Sequence, residues 1–273
     1  VDGMANEVAN LIEKGIAESP IIKSLVSSQL DCDRLDYILR DSYSTGTKYG
    51  QLDLERILSG LSIAPDGTLA INPKGLMAVE HYLVVRNLMY RSVYNHRINE
   101  VCNWILGRII STARLQKKNT IWADKIISTW LWNPDKIDTN TFLKNDDVRT
   151  FYHLSRWQEE GPKELADLCR RFLNRDLLKA KDIASLTHKE QLDALVIARN
   201  LAINKGMDPD SLCGIRHQNI ESYEPYKEGI RVWDGTNLQA LEQSSQLVKG
   251  LSKSYKAAWL IYPKEISNDI KNE

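Results

Sequence analysis

Apolar residues in the first two thirds of the chain recur at the three- and four-residue spacing of amphipathic helices. This pattern predicts helices over about 5–18, 29–43, 52–61, 74–114, 119–131, 146–159 and 162–173. Thr45-Gly46 is a helix stop, and Ala64-Pro-Asp-Gly67 is a turn that precedes a short strand over 69–71. We therefore expect a mainly helical region over residues 1–175.

After Arg175 the pattern changes to short strand-like runs that alternate with helices. Strands are predicted at 177–183, 213–220, 229–233 and 257–262, and helices at 188–205 and 238–251. The order β-α-β-β-α-β is that of a ferredoxin-like unit. The predicted organisation is a mostly α domain over 1–175, a small α+β domain over 176–265 and a tail over 266–273.

Composition narrows the class of protein without identifying it. Apolar residues make up 42% and charged residues 26% of the chain, and Lys+Arg and Asp+Glu both number 36. A net charge of zero argues against a general grip on nucleic acid or on an anionic membrane. The 4 cysteines lie far apart, and no apolar run reaches the length of a membrane span. These features predict a soluble cytoplasmic protein with reduced thiols.

The predicted helix over 29–43 carries chemistry on one side. Asp33, Tyr37 and Asp41 recur at i, i+4 and i+8, with Arg34 beside them. Carboxylates, a phenol and a guanidinium are suited to hold a divalent metal, a sugar and a phosphate. The alternative is a solvated helix face on which the same charges form ion pairs.

A second polar face lies on the predicted helix that includes 81–97. Arg86, Tyr90, Tyr94 and Arg97 recur at helical spacing, and His96 borders them. Arginine binds phosphate oxygens with two parallel hydrogen bonds, and tyrosine packs against a sugar or a base. The alternative is a helix with ordinary core tyrosines and surface arginines.

Several runs together resemble one known family. The run over 25–46, which contains Asp31-Cys-Asp-Arg-Leu-Asp-Tyr37, is similar to the segment that follows the histidine motifs in dGTPase-like deoxynucleoside triphosphate triphosphohydrolases of the HD superfamily. Further similar runs lie at 49–57, 74–82, 86–97, 175–179 and 223–226. The resemblance implies that residues 1–175 are the C-terminal part of an HD-type helical domain.

The resemblance also implies roles for ten residues by position. They are metal binding and catalysis for Asp33, phosphate binding for Arg34 and Arg86, sugar or base binding for Tyr37, Asp41 and Tyr94, and supporting or undetermined roles for Asp31, Tyr90, His96 and Arg97. A divalent metal is implied as the cofactor, with Mn, Mg, Fe, Ni and Zn not distinguished. A dNTP or a related nucleotide is implied as the ligand, and the expected assembly is a homo-oligomer or a complex with a partner chain that carries the histidine motifs.

The histidine motifs of the family are missing from this sequence. It contains 5 histidines, none of which precedes Asp33 or is followed by Asp. Imidazoles supply much of the affinity of such sites for iron or manganese. Three explanations of the missing histidines remain open: a partner chain supplies them, the chain is a fragment of a longer enzyme, or it has lost catalysis.

The function predicted from the sequence is therefore part of a metal-dependent nucleotide phosphohydrolase. The expected reaction converts a dNTP to a deoxynucleoside and triphosphate, with the metal-binding histidines on a missing segment or partner chain. Two alternatives stay open: a non-catalytic nucleotide-binding or assembly subunit, and an HD phosphohydrolase that acts on another phosphoester.

Overall fold

A computed structural model describes residues 2–14, 20–116, 120–220, 223, 225, 229–251 and 255–271 of the chain. The chain forms two compact units, the first from residues 1–96 and 219–255 and the second from residues 97–218 and 256–273. The polypeptide thus passes between the units after His96, Gln218 and Tyr255. These crossings differ from the domain boundaries expected at 175 and 265, which stay predictions.

The first unit consists of short helices and one small sheet. Its elements are α1 (Asp2–Lys14), α2 (Pro20–Val26), α3 (Cys32–Thr45), α4 (Leu54–Gly60), β1 (Leu61–Ile63), β2 (Leu69–Ile71), α5 (Leu76–Met89), β5 (Arg231–Trp233), β6 (Leu238–Ala240), α13 (Leu241–Ser244) and α14 (Gln246–Leu251). A π-helical turn over Tyr90–Tyr94 follows α5. The sheet order is β1-β2-β5-β6, with β2 and β5 parallel through the pair Ile71 and Val232.

One apolar core holds the first unit together. Ile38 from α3, Ile57 from α4 and Leu83 from α5 are buried in the same cluster as Val232 from β5. Burial of side chains of this size stabilises a fold by about 1.5–3 kcal/mol each. The helices α3 and α5, which carry most of the predicted site, therefore rest on a common core.

The second unit is again mainly helical. Its elements are α6 (Arg97–Leu115), α7 (Lys125–Trp132), α8 (Thr139–Leu143), α9 (Asp147–Glu160), α10 (Lys163–Leu173), β3 (Lys179–Asp182), α11 (His188–Asn204), α12 (Pro209–Leu212), α15 (Ser267–Lys271) and most of the strands β4 (Gly214–Ile220) and β7 (Tyr255–Tyr262). The sheet order is β3-β7-β4, and β3 pairs antiparallel with β7. No described helix is both long and apolar enough to cross a lipid bilayer.

The predicted fold class, a mostly helical protein with a small α+β unit, is confirmed. The strand predicted over 229–233 does not join the sheet of β3, β4 and β7. As β5, it pairs with β2 and β6, because Ile230 and Val232 are buried in the core of the first unit.

Two predicted helices are also interrupted. The helix expected over 74–114 is divided at Asn95, whose backbone N–H and side-chain amide both donate to the carbonyl of Tyr90, at 2.9 and 3.0 Å. The helix expected over 238–251 begins instead as β6, which pairs with β5 across a turn containing Gly235 at φ 100°.

The predictions at the two ends of the chain have different outcomes. Residues 15–18, predicted as the end of the first helix, lie outside the described residues, as do residues 272–273 of the predicted tail. The described part of that tail forms α15, and Ile266 and Ile270 are buried in the core of the second unit.

Candidate functional site

The turn that precedes α3 is organised by Asp31, the N-cap of that helix. Its Oδ1 accepts a hydrogen bond from the backbone N–H of Arg34 at 2.8 Å, and its Oδ2 accepts one from the backbone N–H of Ser28 at 3.2 Å. Aspartate is among the preferred N-cap residues because it satisfies helix N–H groups that have no intrahelical partner. The residue is only 2% exposed, so its charge needs compensation.

Arg34 supplies that compensation. Its guanidinium forms an ion pair with Asp31 and donates a hydrogen bond to the carbonyl of Ser28. The structure therefore places Arg34, a predicted phosphate ligand, beside a buried carboxylate that already balances its charge. An anion would have to compete with Asp31 for this guanidinium.

Arg86 on α5 has a different environment. It is 3% exposed, and its Nη1 donates to the side-chain oxygen of Gln29 at 2.7 Å. Its guanidinium also lies over the ring of Tyr90, 5.4 Å from the centroid. Among the described residues none of its hydrogen-bond or ion-pair partners is a carboxylate, and its buried Nε has no partner. Arg86 is thus a buried cation without a carboxylate partner among the described residues.

Charge on this arginine is maintained at any physiological pH. Burial lowers the pKa of Arg86, but the nearby phenols of Tyr82 and Tyr90 raise it, and the result lies above the ordinary value for arginine. For the phenol of Tyr82 burial has the opposite effect, because it disfavours the phenolate, and it raises the pKa to about 12. The site therefore combines a permanent cation with the protonated phenol of Tyr82.

Three tyrosines from α3 and the π-helical turn pack together. The ring of Tyr94 contacts those of Tyr37 and Tyr90 edge to face, with centroids 5.8 and 5.4 Å apart. A π turn inserts one extra residue into a helix and is frequent at functional sites. Here the turn is the element that presents Tyr90 and Tyr94 to α3.

The phenols of this cluster differ in acidity. Burial and a hydrogen bond with Tyr90 raise the pKa of Tyr37. Burial also raises the pKa of Tyr90, but hydrogen bonds with Tyr37 and Arg86 outweigh it, so that this pKa lies below its ordinary value. All three are half-buried, and Tyr37 and Tyr90 are joined to Arg86 in one polar network.

Asp41 and Tyr94, both predicted to contact a sugar, are in direct contact. The hydroxyl of Tyr94 donates to Oδ2 of Asp41 at 2.9 Å. Burial and this hydrogen bond raise the pKa of the phenol. One carboxylate oxygen of Asp41 is thus held by a phenol that stays protonated, which fixes the direction of the other oxygen.

Asp33, the predicted metal ligand, lies exposed in the first turn of α3. No group of three or more His, Cys, Asp or Glu side chains that could hold a metal ion occurs among the described residues. Strong metal sites in proteins need three or four such ligands. The described residues therefore do not make up a metal site by themselves.

The remaining two predicted residues fall on either side of the helix break. His96 is half-buried at the end of the π-helical turn, and its backbone N–H donates to the carbonyl of Val93 at 3.4 Å. Arg97 begins α6 in the second unit and lines a cavity of about 540 Å³ with Arg175, Lys179 and Lys264. Arg97 is thus not part of the continuous helical face predicted from the spacing.

The structure adds two residues that were not predicted for the site. Gln29 binds Arg86, and Tyr82 donates its hydroxyl to the backbone carbonyl of Gln29 at 2.8 Å. Tyr82 lies four residues before Arg86 on α5, so helical spacing could have indicated it. Gln29 lies outside any helix, and the sequence around it carries no comparable signal.

A family model identifies the family to which the chain belongs. The family model described as the HD-associated region matches residues 52–272. The chain belongs to the HD-associated region family and is thereby related to the HD superfamily.

Two uncharacterized proteins are similar to this chain over different shares of its length. The chain is 28% identical over 277 residues to the uncharacterized protein YwfO of Bacillus subtilis, with 98% of the chain and 63% of that protein covered. It is 36% identical over 140 residues to the uncharacterized protein MJ1154 of Methanocaldococcus jannaschii, with 47% of the chain and 30% of that protein covered. The chain thus spans less than two thirds of the length of these relatives.

Solved structures have the same fold. A phosphohydrolase (BT4208) from Bacteroides thetaiotaomicron superposes with a TM-score of 0.79 and 24% identity, over 96% of this chain and 70% of that one. A hypothetical protein from Aquifex aeolicus superposes with a TM-score of 0.71 and 19% identity, over 98% and 64% of the two chains.

Proposed function

We propose that the chain contributes the phosphate- and sugar-binding part of a metal-dependent nucleotide phosphohydrolase of the dGTPase-like type. The observation that carries this proposal is Arg86, a buried arginine that has no carboxylate partner among the described residues. A cation in a site of low dielectric costs several kcal/mol unless an opposite charge pairs with it. A phosphate group of the substrate provides that charge.

The proposed reaction is hydrolysis of a dNTP to a deoxynucleoside and inorganic triphosphate. Water adds to the α-phosphorus, the bond from phosphorus to the 5′ oxygen breaks, and a proton passes to the leaving 5′ oxygen. Arg86 binds the triphosphate and offsets its growing charge, which is the electrostatic part of catalysis. Tyr37, Asp41 and Tyr94 hold the sugar and so orient the α-phosphate.

Asp33 is proposed as the carboxylate ligand of a divalent metal. Its exposure on the first turn of α3 leaves it accessible to ligands from outside the described residues. We propose that another segment or a partner chain supplies the imidazoles. Mn, Mg, Fe, Ni and Zn all fit a mixed site of imidazole and carboxylate.

The first helix offers a surface for such a segment. On α1 the side chains of Met4, Val8 and Ile12 are 70%, 49% and 69% exposed, and they recur at i, i+4 and i+8. An amphipathic helix normally buries its apolar face against another element. We propose that the histidine-bearing segment covers this face.

The unmatched parts of related proteins also support the proposal. The Bacteroides protein that shares the fold is described as a phosphohydrolase, and 70% of its chain is covered by the superposition. Less than two thirds of the Bacillus relative is matched by this chain. Both relatives thus have room for a further segment that carries metal ligands.

Reconstitution tests the enzyme proposal. The chain, expressed with a polypeptide that bears the His and His-Asp motifs, is expected to release inorganic triphosphate from dNTPs in the presence of Mn²⁺. Asp33→Asn is expected to abolish this release, because it removes the charge of the carboxylate that is proposed as a metal ligand. If the mixture binds dNTPs without turnover, the non-catalytic nucleotide-binding alternative is correct.

Substitution at Tyr94 tests the sugar site without a partner. Tyr94→Phe removes the hydroxyl that holds Asp41, and hydrogen bonds to charged groups contribute about 1.5–3 kcal/mol. We therefore expect dATP affinity, measured by calorimetry, to fall by roughly ten- to a hundredfold. The matched control is Tyr43→Phe on the same helix as Asp41, where the side chain is 91% exposed. Equal losses in the two variants would refute the sugar assignment.

A further inference from the structure

We infer that Gln29 is a positioning residue for Arg86, and that its neutral amide leaves the charge of this arginine available to a multiply charged phosphate anion. This role rests on the proposed function, since it concerns the same phosphate-binding arginine. It adds a residue that determines which ligand charge the site prefers.

Gln29 is tied to one face of α5 at two points. Its side-chain oxygen accepts from Nη1 of Arg86 at 2.7 Å, and its backbone carbonyl accepts from the hydroxyl of Tyr82 at 2.8 Å. Tyr82 and Arg86 lie one helical turn apart, and Gln29 itself is 7% exposed. With both ends fixed in a buried environment, the amide holds the guanidinium in one orientation.

The same turn contains an arginine whose partner is a carboxylate instead of a neutral amide. Two residues further on, Asp31 forms an ion pair with Arg34 and balances its charge. A carboxylate in place of the amide of Gln29 would hold Arg86 equally well through hydrogen bonds. It would also cancel the positive charge that attracts an anion, because opposite charges in contact largely neutralise each other at longer range.

Two substitutions separate the hydrogen bond from the charge. Gln29→Glu keeps the size of the side chain and an acceptor oxygen but adds a negative charge. Gln29→Met keeps a similar length and neutrality but removes the acceptor. For each variant we would measure the affinity for inorganic triphosphate by calorimetry, and thermal stability from pH 3 to pH 8.

For Gln29→Glu we expect opposite effects on the affinity for triphosphate, which falls, and on the melting temperature, which rises. Gln29→Glu is expected to weaken triphosphate binding by about tenfold or more, since it places a like charge beside the anion. It is expected to raise the melting temperature at pH 7, since it pairs a buried cation. Gln29→Met is expected to lower the melting temperature and to weaken binding less.

The pH dependence identifies the introduced carboxyl. Beside Arg86 its folded-state pKa is expected to lie below the unfolded value of about 4.3. A depressed pKa adds stability above the unfolded pKa, and that stability is lost as pH falls through the folded pKa. The gain in the melting temperature of Gln29→Glu should therefore be present above about pH 4.3 and should be lost as the pH falls further below that value.

The outcomes distinguish this role from the proposed function. If the unchanged chain binds triphosphate and Gln29→Glu binds it equally well, the role of Gln29 is refuted while the phosphate site stands. A Gln29→Glu variant that loses stability and affinity together also refutes it, because that result indicates a structural role only. If the unchanged chain does not bind triphosphate, the phosphate site itself is refuted, and this role with it.

Discussion

Arg86→Met is expected to weaken the binding of inorganic triphosphate by about 30-fold to several thousand-fold, without lowering the stability of the fold. Loss of one partner from a buried, hydrogen-bonded charge pair costs about 2–5 kcal/mol, and this sets the range. The guanidinium has no carboxylate partner among the described residues, so an anionic ligand is its natural partner. Calorimetric titration of the purified chain measures the loss.

The expected effect of this substitution on stability has the opposite sign from that of an ordinary core substitution. Burial of an unpaired cation destabilises the fold by several kcal/mol, whereas the hydrogen bond of Arg86 to Gln29 stabilises it by about 1.5–3 kcal/mol. Methionine removes both contributions and fills similar space. We therefore expect the free energy of unfolding, measured with urea, to stay the same or to increase.

Arg40→Met is the matched control for Arg86→Met. Arg40 is an exposed arginine on α3 that forms an ion pair with exposed Asp36 at 2.8 Å. Exposed pairs of this kind contribute about 0–1 kcal/mol, so neither affinity nor stability should change appreciably. If Arg86→Met destabilised the protein by several kcal/mol and left triphosphate binding intact, Arg86 would be a structural residue.

Helical spacing grouped several residues that the structure brings into contact. Tyr37 and Asp41 were grouped by the i, i+4 rule, and they contact Tyr90 and Tyr94 from the second predicted face. The rule failed at Arg97, because the bond between Asn95 and the carbonyl of Tyr90 ends the helix first. A break of this kind involves two hydrogen bonds from a single residue and leaves the apolar pattern unchanged.

Local pattern also predicted the elements of the fold better than their pairing. The runs at 179–182, 214–220 and 255–262 are strands of one sheet, close to where alternation placed them. The run at 231–233 is a strand too, but it pairs with β2, some 160 residues earlier in sequence. Strand propensity predicts that a segment will pair with another strand. The identity of its partner depends on the core in which its side chains are buried.

A close approach of two glycines between α4 and the start of α5 leads to the second large expected effect. A Cβ at Gly60 would lie 2.7 Å from the Cα of Gly75, and one at Gly75 would lie 2.8 Å from the Cα of Gly60. Both residues are buried, and the obstacle is backbone, which cannot rotate away as a side chain can. Gly60→Ala is therefore expected to lower the free energy of unfolding by about 1–3 kcal/mol or more.

The same substitution at Gly107 is expected to have the opposite sign. Gly107 lies exposed within α6, and apart from the neighbouring backbone of its own helix no atom lies within 4 Å of its ideal Cβ. Alanine there should therefore stabilise the protein by about 0.5–1 kcal/mol. Urea unfolding of the two variants measures both values with one assay. A Gly60→Ala variant as stable as the unchanged protein would show that α4 can move away from α5. The affinity of both variants for triphosphate should also be measured, because α5 carries Arg86. A shifted α5 is expected to lower the affinity of Gly60→Ala, whereas Gly107→Ala should bind triphosphate normally.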